Sequence, residues 1–282
     1  MESFRTADGR TLSYRREGAG PVLVCHPGGP GFSSRYFGDL AGLGESFTLI
    51  LLNPRGSEGS DRPPDSRAYE TADYVSDVDE LRAHLGLERM LLLGHSHGGV
   101  VAAAYAAAHP DRVEMLVLAS TLARFGEEHR TMMEAGMEAK ADEPWYADAQ
   151  AALEDEQAGR FETDEELAAL CMRELPFYFS RYGDPEQAYI DTLRGEVPVA
   201  DALLLFNDEI FTTFDLRPDL PKIAAPTLVI AGEDDFITGP ACAADFAAIP
   251  VQKTVLVPGC GHFIFIEKRD RFREETTSFL LD

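Results

Sequence analysis

MLLLGHSHGG, residues 90–99, decides how the rest of the chain is read. Its first four residues are apolar and suit a buried strand, while the alanine-rich run from Gly98 to residue 108 suits a helix. Between them the pattern G-x-S-x-G puts Ser96 at the corner. A strand that turns into a helix over so few residues strains the backbone of the corner residue. It also lifts that side chain clear of the sheet edge. Small residues on either side let strand and helix approach closely, and the His97 amide at the start of the helix can then donate to an oxyanion. The pattern alone is common; its place between strand and helix gives it weight.

Outward from this corner the chain alternates short apolar runs with helical patterns. Residues 4–16, with Asp8-Gly9 in the middle, read as a β-hairpin. Strands are expected over 21–25, 47–52, 90–94 and 113–119. Over 73–85, Val75, Val78, Leu81 and Leu85 fall on one helical face. This rhythm argues for a mainly parallel sheet with helices on both faces. It stops near residue 121, and the chain to about 218 reads as helical and acidic. It resumes with a strand over 227–231, a helix over 241–248, a strand over 253–257 and a last helix over 263–281. The simplest division is an α/β core of residues 1–120 and 219–282 carrying a helical insertion of residues 121–218.

A serine hydroxyl is a weak nucleophile until a base takes its proton, and the base needs a carboxylate to orient it. With the serine at a strand–helix corner, acid and histidine are expected in that order, each after a later strand. Gly232-Glu233-Asp234-Asp235 follows the first of the late strands, and Pro258-Gly259-Cys260-Gly261-His262 follows the second. His262 is the only histidine beyond His129. Three adjacent carboxylates leave the acid open at this point. His95 and His97 flank Ser96 and read as pocket-lining or hydrogen-bonding residues; no further ligands nearby suggest a metal site. The loop CHPGGPGFSS, residues 25–34, follows an earlier strand, where a second oxyanion donor is expected. Gly28 and Gly29 would let the main chain pass close to a reacting carbonyl, and the Gly29–Pro30 bond is a candidate for cis.

The net charge is −24, and residues 121–218 hold 23 acidic against 8 basic residues. Such a field repels nucleic acid and anionic membrane surfaces and attracts cationic substrates, such as those with free amino groups. The polar N-terminus has no apolar signal region and no apolar run approaches a membrane span, so a cytoplasmic location is expected. Cys25, Cys171, Cys242 and Cys260 lack paired spacing and read as free thiols.

Across nearly its whole length the chain resembles the α/β-hydrolase superfamily, whose acid commonly stands in a G-x-x-D pattern. That selects Asp235, with Asp234 as the alternative. HPGGPG (26–31), NPRGSEGSDRP (53–63) and GHSHGG (94–99) are similar to the motifs of the proline iminopeptidase group of serine peptidases. The resemblance implies a triad of Ser96, Asp235 and His262, oxyanion amides from Gly29 and His97, a cap formed by the insertion, and no cofactor. Members that cleave N-terminal residues hold the free amine with acidic side chains. The matching positions here are Glu209, with Asp208 beside it, and Phe236, which cannot pair with an ammonium. Pro27 is an addition to the family motif, and Glu58 stands where a glycine is usual. The expected substrate is a short peptide, or else a small ester or lactone handled by a carboxylesterase or lactonase on the same scaffold. A ligand receptor with little turnover is the reading from another class.

Overall fold

The computed structural model describes residues 1–211 and 213–281, with the side chain of Glu209 outside that description. Strands β1 (Glu2–Arg5) and β2 (Thr11–Gly18) form the antiparallel hairpin expected around Asp8-Gly9, where Gly9 takes φ +90°. β2 runs antiparallel to β4 (Thr48–Asn53). The remaining neighbours are parallel: β3 (Val22–His26), β4, β5 (Met90–His95), β6 (Val113–Ala119), β7 (Thr227–Gly232) and β8 (Gln252–Val257). The eight strands make one sheet in the order β1-β2-β4-β3-β5-β6-β7-β8.

Successive strand residues point to opposite faces, and the two sets enter two separate cores. Val24, Ile50, Leu92, Leu116 and Val229 pack on Val78, Leu81, Val101 and Tyr105 of helices α1 (Thr71–His84) and α2 (His97–Ala108). Leu23, Leu51, Leu93, Val117 and Ile230 pack on Phe265, Phe272 and Leu280 from near the C-terminus. Each such side chain removed from water contributes about 1.5–3 kcal/mol. Burial on both faces explains why these strands read as unbroken apolar runs.

Between β6 and β7 lie helices α3 (Glu127–Glu138), α4 (Tyr146–Gln157), α5 (Asp164–Glu174), α6 (Asp184–Thr192) and α7 (Ala200–Leu205). An isolated bridge between Arg124 and Asp215 draws the two ends of this segment together. After β7 come α8 (Pro240–Asp245) and a 3-10 turn over Phe246–Ala248, which together replace the single helix expected there. The final helix is also divided. α9 (Ile264–Glu267) and α10 (Arg269–Leu281) are separated by Lys268, whose φ of −131° and ψ of 51° break the helical path. Among the described residues no helix is long and apolar enough to cross a membrane.

The segment NPRGSEGSDRP is a structural knot behind the site. Arg55, nearly fully buried, donates from Nε to Asp77 Oδ2 at 2.7 Å and from its Nη atoms to the carbonyls of Ala68 and Asp73. Asn53 Oδ1 accepts from the amide and hydroxyl of Ser34 at 2.9 and 2.7 Å. Glu58 is exposed, and its carboxylate accepts from the Ser33 hydroxyl at 3.3 Å.

Candidate active site

Ser96 stands between β5 and α2 with φ +55° and ψ −127°. A non-glycine residue in this region carries strain of about 1–3 kcal/mol, and the surroundings hold it there. The glycines of the motif make that possible. A β-carbon on Gly94 would run into the Gly98 carbonyl, and one on Gly98 into the carbonyls of His26 and Pro27. Close packing of strand, turn and helix therefore tolerates no side chain at either position.

Three further loops meet at the cavity that Ser96 lines, each from the carboxyl end of a parallel strand, where open α/β sheets present their sites. The loop after β8 supplies His262, and the loop after β7 supplies Asp235. His262 Nδ1 lies 2.9 Å from Asp235 Oδ2. The Thr238 hydroxyl donates to that same oxygen at 2.6 Å and lies 3.0 Å from the imidazole nitrogen. The amides of Ile237 and Thr238 donate to Oδ1 at 3.1 and 3.0 Å. Burial opposes ionisation of Asp235, but the His262 charge and hydrogen bond, with those from Thr238, outweigh it and hold the carboxyl down to about 2. Asp234 is elsewhere: its Oδ2 accepts from the Ser180 hydroxyl at 2.6 Å.

The loop after β3 presses Gly28 against Ser96, where a β-carbon would come within 2.7 Å of Ser96 Cβ. The Gly28 amide donates to the Tyr36 hydroxyl at 2.6 Å. Gly29, at φ +110°, also lines the cavity, and the Gly29–Pro30 peptide is cis. Its amide has no acceptor among the described residues. The His97 amide opens α2, where first-turn amides lack intrahelical acceptors. The His97 ring points away into packing against Tyr74 and Phe206, at centroid distances of 5.2 and 5.1 Å. The His26 Nδ1 lies 2.8 Å from the Pro27 carbonyl, so the inserted proline supplies a partner to the loop histidine.

Ser96, His262, Gly28 and Gly29 line one cavity of about 880 Å³, its mouth included. Most of its wall is apolar, with Phe32, Met172, Leu175, Leu203, Ile237 and Phe263 among the lining residues. Into it also come three carboxyl groups that sequence reasoning did not single out: Glu156 from α4, Glu174 from the end of α5, and Glu196. Burial pushes the Glu156 carboxyl up to about 7, against a hydrogen bond from Asn207. Burial, and then the neighbouring Glu156, pushes Glu174 well above the usual carboxylate range. Glu174 Oε2 is buried with no hydrogen-bond partner among the described residues. Glu196 accepts from the Ser33 amide at 2.8 Å.

A signal for the first two was present in the sequence. Ala149, Ala152, Leu153 and Glu156 are the buried positions of α4, and Leu167, Leu170, Cys171 and Glu174 those of α5. Each glutamate completes an i, i+3, i+4, i+7 apolar stripe, where a carboxylate is out of place unless something needs it. The residues named for amine recognition fare differently. Phe236 does not line the cavity; its apolar ring is buried with Ala149, Leu153 and Phe177, and this corrects the expectation that it meets the substrate. Glu209 lies in the turn Phe206–Ile210, and its side chain lies outside the described residues. Asp208 is exposed.

The family model for the alpha/beta hydrolase fold matches residues 21–269. The chain is an α/β-hydrolase. A curated relative, the proline iminopeptidase of Lactobacillus helveticus, is 30% identical over 89% of this chain and 87% of its own. A hydrolase from Pseudomonas aeruginosa is 27% identical over 99% of this chain and 97% of its own, with a TM-score of 0.72. An enol-lactonase from Burkholderia xenovorans is 25% identical over the whole of both chains, with a TM-score of 0.68. This α/β-hydrolase is thus an enzyme of the hydrolase class, similar both to a proline iminopeptidase and to an enol-lactonase.

Proposed function

We propose that the protein is a serine hydrolase that releases N-terminal residues from small peptides. Ser96 attacks the scissile carbonyl while His262 takes its proton. Asp235 holds the imidazole and stabilises its charge. The amides of Gly29 and His97 donate to the oxyanion of the tetrahedral intermediate. His262 then protonates the leaving amine, and water clears the acyl-enzyme by the same route in reverse. Residues 121–218 act as a cap over the core of residues 1–120 and 219–282, and supply the carboxyl-bearing wall of the cavity.

The observation that favours a peptide over an ester is the Glu156–Glu174 pair in the same cavity as Ser96. Two buried carboxyls without cationic partners among the described residues are held largely protonated by their surroundings. An ammonium group entering the cavity would let both ionise and would gain two charge-assisted hydrogen bonds. A neutral ester offers nothing comparable. The similarity to proline iminopeptidases points the same way, with the amine held by residues other than those the family motif suggested.

The test is a side-by-side assay of an N-terminal prolyl amide and the matching N-acylated amide, with a short-chain ester as reference. The free-amine substrate is expected to be preferred by at least about a hundredfold, and Glu174→Gln to lose that preference while keeping ester turnover. Fast ester turnover with no amide cleavage would overturn the peptide reading and favour the lactonase-like alternative, which the Burkholderia enzyme supports.

A further inference from the structure

Behind the nucleophile runs a chain of hydrogen bonds that none of the motifs announces. The Gly28 amide donates to the Tyr36 hydroxyl at 2.6 Å, and that hydroxyl lies 2.9 Å from His95 Nδ1. His95 Nε2 lies 3.1 Å from the backbone carbonyl of His262. Its polarity is forced. A carbonyl can only accept, so His95 Nε2 carries the proton. The neutral imidazole then leaves Nδ1 as an acceptor, and the Tyr36 hydroxyl must donate to it. The Tyr36 oxygen is thereby free to accept from Gly28, and every member is satisfied in one arrangement only. Burial, and then the neighbouring His262, pushes His95 down to about 3, so the ring stays neutral. Tyr36 and His95 are both almost fully buried, and their rings sit 5.6 Å apart with Phe265 against each.

The two ends of this chain are the two halves of the proposed machinery. One end holds the Pro27–Gly28 peptide, one residue ahead of the Gly29 amide. The other fixes the backbone of His262, whose amide is held from the opposite side by the Tyr178 carbonyl at 2.7 Å. We propose that Tyr36 and His95 are positioning residues that hold the oxyanion loop and the general base in register with each other. Resting on the assignment of Ser96 and His262 above, this also explains why Gly29 rather than Gly28 donates to the oxyanion: the Gly28 amide is already committed.

Tyr36→Phe breaks the chain at its centre with little change in volume. On an activated acyl ester it is expected to lower kcat at least about tenfold with KM nearly unchanged, because the loss falls on the transition state. Affinity for a trifluoromethyl ketone, whose adduct places an oxyanion at the same point, is expected to fall in parallel. His95→Gln retains a donor toward the His262 carbonyl and is expected to keep more kcat than His95→Leu. Leu81→Ala, a change in the core on the other face of the sheet, serves as a stability control: it lowers the melting temperature and leaves kcat alone. Nitrogen-15 NMR of the wild-type protein gives a readout that needs no variant, with His95 expected as the neutral Nε2–H form throughout about pH 5–9. The proposal is overturned if Tyr36→Phe keeps wild-type kcat and ketone affinity, or if His95 titrates within that range. Failure of the nucleophile assignment is separate, because it shows as turnover that survives Ser96→Ala.

Discussion

His262 Nδ1 and Asp235 Oδ2 stand 2.9 Å apart, and the Thr238 hydroxyl bridges them from 3.0 and 2.6 Å. With two backbone amides on Oδ1, the carboxylate is held at both oxygens and cannot rotate away from the imidazole. This fixes the proton of a neutral His262 on Nδ1 and leaves Nε2 as the basic nitrogen.

Asp235→Asn removes the charge and disturbs the tautomer while keeping the shape. The expected loss in kcat is about 10³–10⁴-fold, with KM little changed, measured on an activated ester. Thr238→Val removes one donor and should cost far less, about tenfold. Equal losses in the two variants would show that Thr238 does more than orient the acid.

The same carboxylate sets an acid limit on stability. Its folded pKa of about 2 lies below the ordinary value of 3.8. The unfolded chain therefore binds the proton first. The stabilisation, roughly 2 kcal/mol, is present above about pH 4 and lost as pH falls from 4 toward 2. Denaturant melts of wild type and Asp235→Asn should converge in stability over that interval.

Glu156 behaves in the opposite sense. Its folded pKa of about 7 lies above the ordinary 4.5, so the folded state holds the proton longer. Stability is expected to fall as pH rises from about 4.5 to 7, and Glu156→Gln to flatten that fall by about 1.4 kcal/mol per pH unit at most. A small amine such as prolinamide should raise the melting temperature of wild type more at pH 7.5 than at pH 5. A pH-independent effect would mean that the amine does not meet these carboxyls.

Gly28→Ala and Gly98→Ala separate function from folding. The first places a methyl 2.7 Å from Ser96 Cβ and 3.2 Å from its Oγ, and is expected to abolish turnover while the protein still folds. The second drives a methyl into two backbone carbonyls that cannot yield, and should destabilise the whole protein by about 1–3 kcal/mol or more. Circular dichroism melts beside ester assays would tell the two apart.

The sheet and its order of elements were legible because strands buried on both faces leave unbroken apolar runs, as at residues 90–93 and 227–231. The corner at Ser96 was legible because only glycines fit around it. The end of the chain reads as one helix, since nothing local in Lys268 announces its non-helical backbone. Glu156 and Glu174 were hidden among the many acidic residues of the insertion, although each breaks an apolar stripe. Tyr36 and Thr238 carried no signal at all: their roles arise from partners 59 and 24 residues away in the chain. Phe236 was assigned by position in a motif, whereas its environment is set by the helices packed on it.

The central claim is that Ser96 is the nucleophile activated by His262. The most direct measurement is reaction with a fluorophosphonate followed by peptide mass spectrometry. A single adduct is expected on the peptide containing Ser96, absent in Ser96→Ala and formed far more slowly in His262→Ala. An adduct on another residue, or hydrolysis at the wild-type rate by Ser96→Ala, would contradict the account.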